Sequence, residues 1–94
     1  MISRDGDRMR IAGPVTLQNV TQLLEEGLAH VREGATEVDL AGVSDLDSSL
    51  LAAILAWMRE AGDRNAALAV RNVPDGLVTL AQLYGVEQLL PVRT

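Results

Sequence analysis

Residues 36–61 read TEVDLAGVSDLDSSLLAAILAWMREA, and the change of pattern within them decides the fold. In the first part, Val38 and Leu40 alternate with acidic residues, which predicts a half-buried strand over about residues 36–41. In the second part, the alternation gives way to a long apolar run that we interpret as a helix. A strand that leads into a helix in this way is typical of α/β proteins.

A short polar segment separates the strand from a helix that is apolar on almost every face. Residues 45–49 (Asp-Leu-Asp-Ser-Ser) supply helix-capping side chains, and they predict a helix that begins at Ser48 or Ser49 and ends at about Ala61. In a soluble protein such a helix is either buried centrally or covered by a partner. Because central burial on every side is hard to achieve in so small a domain, the pattern indicates an interface.

Upstream of this stretch the sequence predicts a hairpin. Asp5-Gly6 is a favourable turn, and a short edge strand precedes it around residues 2–3. After the turn, Met9 and Ile11 alternate with arginines and predict a second strand. We expect Gly13-Pro14 to break that strand.

A first helix is predicted from Leu17 onward, where the apolar spacing changes. Thr16 is the expected N-cap of this helix, and Gly34 is its expected end. Its apolar stripe consists of Leu17, Val20, Leu24, Leu28 and Val31.

Downstream, residues 66–70 predict a buried strand, and residues 72–75 (Asn-Val-Pro-Asp) start a third helix with the proline in its first turn. Gly85 is the expected cap of this helix. The helix stripe consists of Leu77, Leu80, Ala81 and Tyr84, and a closing segment with Val86, Leu89 and Leu90 ends at Pro91.

The predicted order is therefore β-β-α-β-α-β-α, which defines an α/β fold in one domain over residues 1–94. Strands separated by helices are parallel, whereas the first hairpin adds an antiparallel edge.

Composition excludes several classes of function. The net charge of −5, with scattered arginines and no lysine, argues against nucleic acid as a partner. The chain has no cysteine, so disulfides, thiolate chemistry and zinc ribbons are excluded. Residues 50–58 form the longest apolar run, too short to span a bilayer, and residues 1–10 lack the apolar stretch of a signal peptide. We therefore expect a cytoplasmic protein that does not insert into the membrane.

No catalytic or metal-binding constellation is visible. His30, the single histidine, falls within the first helix, where we interpret it as a surface or half-buried residue. The spacing of Asp39, Asp45 and Asp47 does not match a calcium loop, and strand ends and caps explain these residues more simply. A glycine-rich phosphate loop with its lysine is also missing. We predict a protein that is not an enzyme and that uses no cofactor or metal.

Asp47-Ser48-Ser49 is the most informative local feature, and it has two interpretations. The first is capping, because Asp and Ser side chains accept hydrogen bonds from the free N–H groups of a first turn. The second is a phosphorylation or anion-contact site, because the helix dipole favours negative charge there. One serine can serve both purposes.

The segments 38–40 (Val-Asp-Leu) and 43–51 (Val-Ser-Asp-Leu-Asp-Ser-Ser-Leu-Leu) resemble the central strand–loop–helix of STAS domains. Those domains are modules of anti-sigma-factor antagonists and of anion-transporter tails. The resemblance covers essentially the whole chain and implies the STAS fold, with a mixed, mostly parallel sheet of four to five strands. The family places Ser or Thr directly after the Asp at the helix start, which is Ser48 here, and in the antagonists a partner kinase phosphorylates that residue.

Within this family, residues 78–86 (Val-Thr-Leu-Ala-Gln-Leu-Tyr-Gly-Val) and the stand-alone length resemble the small STAS subunits of Mla-type ABC transporters, which handle phospholipid traffic at the bacterial envelope. The implied partner is the transporter's ATPase subunit, and the implied location is the cytoplasmic side of the inner membrane. Self-association is expected when that partner is absent. The implied interface comprises Ser48, Ser49, Leu51, Ala52 and Leu55.

Leu50 departs from the family pattern, which carries glycine at this position. We expect Leu50 to add apolar surface at the helix start. Such a surface favours a permanent protein–protein contact over the reversible docking of a kinase. Two alternatives stay open. One is an anti-sigma-factor antagonist regulated by phosphorylation of Ser48, and the other is a nucleotide- or phosphate-binding protein that uses the N-terminus of the second helix.

Overall fold

A β-hairpin opens the fold, and three successive helical crossovers extend it into a five-stranded sheet. The computed structural model describes residues 1–90 and the backbone of residues 92–93. The elements are β1 (Ile2–Asp5), β2 (Arg8–Val15), α1 (Val20–Arg32), β3 (Glu37–Leu46), α2 (Ser48–Asp63), β4 (Ala69–Arg71), α3 (Asp75–Leu83), a 3₁₀ turn (Glu87–Leu89) and β5 (Val92–Arg93). The predicted order of strands and helices and the mixed, mostly parallel sheet are confirmed.

The strands follow one another across the sheet in the order β1-β2-β3-β4-β5. Only the β1–β2 pair is antiparallel, and the other three pairs are parallel. Every crossover therefore moves in the same direction across the sheet. Because such crossovers are right-handed, they place all three helices on one face and leave the other face open.

The two faces of the sheet differ in chemistry. On the open face, Glu37 in β3 accepts hydrogen bonds from Arg71 in β4 at 2.9 Å and from Arg8 in β2 at 3.1 Å. These hydrogen bonds lower the pKa of the Glu37 carboxyl, and the bond from Arg71 has the larger effect. Ion pairs thus connect three strands on the side that no helix covers. The helix side is apolar and buried, with Met9, Ile11, Val38, Leu40 and Val70.

Trp57 fixes the distance between α1 and α2. Its side chain is fully buried, and its indole N–H donates to the carbonyl of Leu24 in α1 at 3.0 Å. The ring lies directly against Gly27, where an added Cβ would clash with the indole. The glycine therefore gives the ring its space, and the two helices pack closely.

Burial accounts for most of the apolar character of α2, and this revises the expected interface. The helix lies between α1 and α3 and packs on the sheet. Only a narrow stripe that includes Ser48, Ala52 and Arg59 is exposed. Its buried side chains are those of Leu50, Leu51, Ala53, Ile54, Trp57 and Ala61.

Gly34 and Gly85 end α1 and α3 as predicted. Both have positive φ angles, +103° and +71°, and both take part in the same hydrogen-bond pattern. After α1, the N–H of Gly34 donates to Val31 and that of Ala35 to His30. After α3 the corresponding donors are Gly85 and Val86. This pair of bonds satisfies carbonyls of the last helical turn.

The prediction that Gly13-Pro14 breaks β2 is wrong. The strand runs through both residues to Val15, and its pairing with β3 shifts register between Gly13 and Pro14. On the other side, Met1 extends the pairing of β1 with β2 to Ala12. The missing N–H of Pro14 thus falls at a ladder irregularity, where proline is tolerated.

The first helix begins at Val20 rather than at Leu17. Asn19 folds the preceding residues into a turn, because its side chain accepts the N–H of Thr16 at 2.9 Å and donates to the carbonyl of Pro14 at 2.8 Å. Leu17 is consequently 78% exposed and does not belong to the helix stripe.

Other helix and strand boundaries differ by a few residues from the predicted ones. β3 continues to Leu46 because β2 pairs with it along this length, and β4 is confined to residues 69–71, where β3 offers partners. Pro74 is the N-cap of α3 and precedes its first turn. The closing segment forms the 3₁₀ turn, whereas Pro91 lies outside the described residues.

Replacing Gly27 with alanine is expected to destabilise the protein. Overpacking against a buried side chain costs about 1–3 kcal/mol, and the better helix propensity of alanine returns about 1 kcal/mol. Because the buried indole has little room to move, we expect a net loss of about 1–2 kcal/mol in the free energy of unfolding, measured by urea denaturation. Gly62→Ala in α2 is the control, since nothing lies within 4 Å of its added Cβ. An equal effect of the two substitutions would contradict the packing argument.

Candidate partner-binding surface at the start of the second helix

Asp47 organises the junction between β3, α2 and the loop after β2. It is the N-cap of α2, and its side chain accepts hydrogen bonds from the N–H of Ser49 at 2.8 Å and from the Ser49 hydroxyl. The other carboxylate oxygen accepts the N–H of Leu17 at 3.0 Å. The hydrogen bond from the Ser49 side chain, followed by those from the two backbone amides, lowers the pKa of the Asp47 carboxyl. One ionised side chain therefore joins two segments 30 residues apart.

Ser48 and Ser49 have different environments although they are adjacent. Ser49 is half-buried, and its hydroxyl donates to Asp47. Ser48 is exposed, and among residues 1–90 its hydroxyl has no hydrogen-bond partner. Only Ser48 therefore presents a free hydroxyl to solvent or to a partner at the helix start.

Two apolar grooves flank the exposed stripe of α2. The first groove, of about 390 Å³, lies towards α1, and its lining includes Leu17, Val20 and Leu24. The second groove, of about 310 Å³, lies towards the end of α3, and its lining includes Leu51, Leu55, Tyr84 and Val86. Ser48 and Ala52 line both grooves and form the ridge between them. We call this arrangement the paired grooves.

The structure brings all five predicted interface residues to the paired grooves, but their exposure differs. Ser48 and Ala52 are exposed on the ridge, while Ser49 and Leu55 are half-buried. Leu51 is only 4% exposed, so it forms the floor of the second groove and has little surface of its own.

The expectation that Leu50 adds apolar surface is wrong. Leu50 is 0% exposed and belongs to the core beneath α2. The first turn of the helix packs against the sheet at this position, so the Leu50 side chain points into the core. Its size therefore affects packing rather than the surface at the helix start.

Sequence reasoning missed the residues that form the outer walls of the grooves. Leu17 and Val20 line the first groove, and both had been assigned to the core-facing stripe of α1. Asn19, a strong helix-capping residue, was the signal that could have placed Leu17 outside the helix. Tyr84 is 57% exposed beside the second groove, rather than a member of a core-facing stripe.

The start of α2 does not offer a free anion site. The Asp47 carboxylate accepts the N–H of Ser49, and the Asp47 carbonyl accepts that of Leu50 at 3.2 Å. These are donors that a bound phosphate would use, and a negative charge already stands beside them. The geometry argues against the phosphate-binding alternative.

The other acidic and titratable candidates have local roles. Burial raises the pKa of Asp39, but hydrogen bonds from Asn72 and from the Ala41 N–H outweigh it, so that the pKa is lowered overall. Asp45 accepts the N–H of the next residue, and His30 lies 3.3 Å from a guanidinium nitrogen of Arg4. Among the described residues, no three His, Cys, Asp or Glu side chains are grouped as a metal site would require. No helix in this part of the chain is long and apolar enough to cross a membrane.

Comparison with known proteins adds a family assignment. The model of the family described as "Mlab, STAS domain" matches residues 1–91. A search of curated proteins found no match.

Several solved structures share the fold. A chain of the Acinetobacter MlaFEDB complex in an ATP-bound conformation is 20% identical with a TM-score of 0.85, and the match covers 99% of both chains. Bacillus SpoIIAA in its phosphorylated form is 19% identical with a TM-score of 0.69 and covers 100% of this chain and 90% of its own. A putative anti-sigma factor antagonist from Thermotoga maritima is 11% identical with a TM-score of 0.76 and covers 98% and 83%. At these identities the likeness establishes the fold alone.

Asp47→Ala is expected to lower the free energy of unfolding, and to do so more near neutral pH than at about pH 3. The pKa of Asp47 is lower in the folded protein than its ordinary value of 3.8. Its carboxylate therefore stabilises the fold above that value, and the contribution disappears as the pH falls through the folded-state pKa. Urea denaturation at the two pH values measures the effect.

Asp45→Ala is the matched control, because its carboxylate bonds the N–H of the next residue and joins no distant segments. We expect a smaller loss of stability from this substitution. An effect of Asp47→Ala that is the same at both pH values would show that the charge of Asp47 does not hold the junction.

Proposed function

Since the chain belongs to the STAS domain family and matches its MlaB-type model, we propose that it is a non-enzymatic accessory subunit that docks on the ATPase of an Mla-type ABC phospholipid transporter. In this role it supports the assembly or activity of the transporter. It would lie on the cytoplasmic side of the inner membrane and reach the membrane only through the complex.

The observation that carries the proposal is the ridge of Ser48 and Ala52 between two apolar grooves. Small side chains on an exposed helix stripe let a partner approach closely, and grooves on both sides provide pockets for its apolar side chains. Leu17 and Tyr84 form the outer walls of the grooves and are 78% and 57% exposed. Most of the surface of these two large side chains is therefore not covered by other described residues. Exposed apolar surface of this kind marks interaction sites.

Docking at this surface provides a physical means of regulation. A subunit that binds one conformation of the ATPase more tightly raises the population of that conformation, whereas equal affinity for all conformations changes nothing. In the absence of the ATPase, the same apolar grooves would favour self-association of the chain.

A second candidate function is that of an anti-sigma-factor antagonist controlled by phosphorylation of Ser48. The observation in its favour is that Ser48 alone of the two serines has a free, exposed hydroxyl. A phosphate there would add nearly two negative charges beside the ionised Asp47, whose carboxylate already takes the Ser49 N–H. Repulsion between these charges would change the surface strongly, as a switch requires.

Ala52→Arg is expected to weaken binding to the purified ATPase subunit by about tenfold or more, because a long charged side chain on the ridge blocks close approach to both grooves. Calorimetry or surface plasmon resonance measures the affinity. Ala29→Arg is the control, since Ala29 is an exposed position of α1 that lines neither groove. Equal weakening by both variants would argue against the paired grooves as the interface.

Ser48 variants separate the two candidate functions. For a transporter subunit, we expect Ser48→Ala to bind the ATPase and Ser48→Glu to bind it less well. A pull-down from native extract, with partners identified by mass spectrometry, tests this directly. Recovery of an anti-sigma kinase that places phosphate on Ser48, without any ATPase, would replace the first candidate with the second.

A further inference from the structure

Charge is distributed unevenly around the paired grooves. Every residue that lines them falls within one of three chain segments, residues 12–24, 41–58 and 72–90, and these segments contain no arginine or lysine. The same segments carry four acidic residues, Asp45, Asp47, Asp75 and Glu87. The arginines occur elsewhere in the chain, and the nearest along α2 is Arg59, about two turns beyond Ala52.

Three of these four acidic side chains are available to a partner. Asp45, Asp75 and Glu87 are exposed, and within the described residues none of them forms an ion pair with an arginine. Asp47, in contrast, is engaged with Leu17 and Ser49.

Ion pairs neutralise some of the acidic groups on other surfaces of the molecule. Glu37 is paired with Arg8 and Arg71 on the open face of the sheet. On the helix side, Glu60 is paired with Arg32 at 3.1 Å. The segments that contain the groove residues therefore carry negative charge that no arginine within them balances.

We propose that the partner presents apolar side chains to the paired grooves and surrounds them with arginine or lysine side chains that face Asp45, Asp75 and Glu87. The proposal deepens the proposed function and rests on it, because it specifies the chemistry of the ATPase surface. Electrostatic complementarity of this kind accelerates encounter and fixes orientation more than it adds affinity.

The same charge pattern selects a protein over other occupants of an apolar groove. The cytoplasmic leaflet of a membrane is anionic and would be repelled by uncompensated carboxylates, so lipid is disfavoured. Nucleic acid is disfavoured for the same reason. A basic protein surface with an apolar centre satisfies both the grooves and their acidic border.

The test compares two triple variants that remove the same charge from different parts of the molecule. The first, Asp45→Asn, Asp75→Asn and Glu87→Gln, neutralises the border of the grooves while keeping side-chain oxygen acceptors. The control, Asp7→Asn, Glu33→Gln and Asp63→Asn, acts at the hairpin turn and at the ends of α1 and α2. Circular dichroism checks that both fold like the unmodified chain.

Association rates with the purified ATPase subunit are measured by stopped-flow at about 50 mM and about 500 mM salt. For the unmodified chain, we expect the association rate constant to fall about tenfold between the two conditions. At low salt the first triple variant should associate about three- to tenfold more slowly, and the control within about twofold of the unmodified chain. At high salt these differences should disappear.

Each other outcome overturns a specific statement. Binding that is independent of salt, or equal rates for the two triple variants, would refute the basic partner surface and leave the docking proposal intact. A folded, unmodified chain that fails to bind the ATPase subunit at either salt concentration would refute the proposed function, and the basic partner surface with it.

Discussion

The junction at Asp47 is the constraint on which the candidate site depends. Its carboxylate holds the first turn of α2 through Ser49 and the loop after β2 through the N–H of Leu17. This pair of contacts connects the loop that carries Leu17, which Asn19 also orders, to the start of α2, and so supports one wall of the first groove. The same carboxylate occupies the positive end of the helix, where a bound anion would otherwise be stabilised. A single ionised side chain thus shapes the candidate docking surface and disfavours phosphate as its ligand.

The one-sided sheet explains where the free surface lies. Because each strand is added beside the previous one, all crossovers lie on one face, and the open face is covered by charge pairs around Glu37. The helix layer is held together at its centre by Trp57, which takes the space above Gly27 and bonds to α1. Where α2 emerges between its two neighbours, apolar surface remains in the two grooves. In the proposed complex this apolar surface receives the partner, and the acidic residues near it favour a basic one.

The hydroxyl at the helix start does not define a function by itself. A serine at this position is compatible with a phosphorylation switch and with a permanent contact, because both need an exposed side chain at the same point. The grooves distinguish them better, since large apolar walls favour a lasting interface, whereas a switch depends on the charge added to Ser48. The size of residue 50 adds nothing to this distinction, because Leu50 is buried beneath the helix.

By itself, the sequence determined the features that depend on short-range chemistry. The hairpin turn, the glycine ends of α1 and α3, the cap at Asp47 and the order of strands and helices follow from residue types at fixed spacings, and they were predicted. Only the tertiary structure decided which face of each element is covered. Leu50 and Leu51 are as apolar as Leu17, yet the first two are buried and the last is exposed, because burial depends on neighbours that are distant in sequence. Pro14 likewise continues β2 because the pairing with β3 carries the strand on through a register shift, which no local pattern records. Five residues of the site could thus be named in advance, whereas the grooves themselves arise from the packing of three helices.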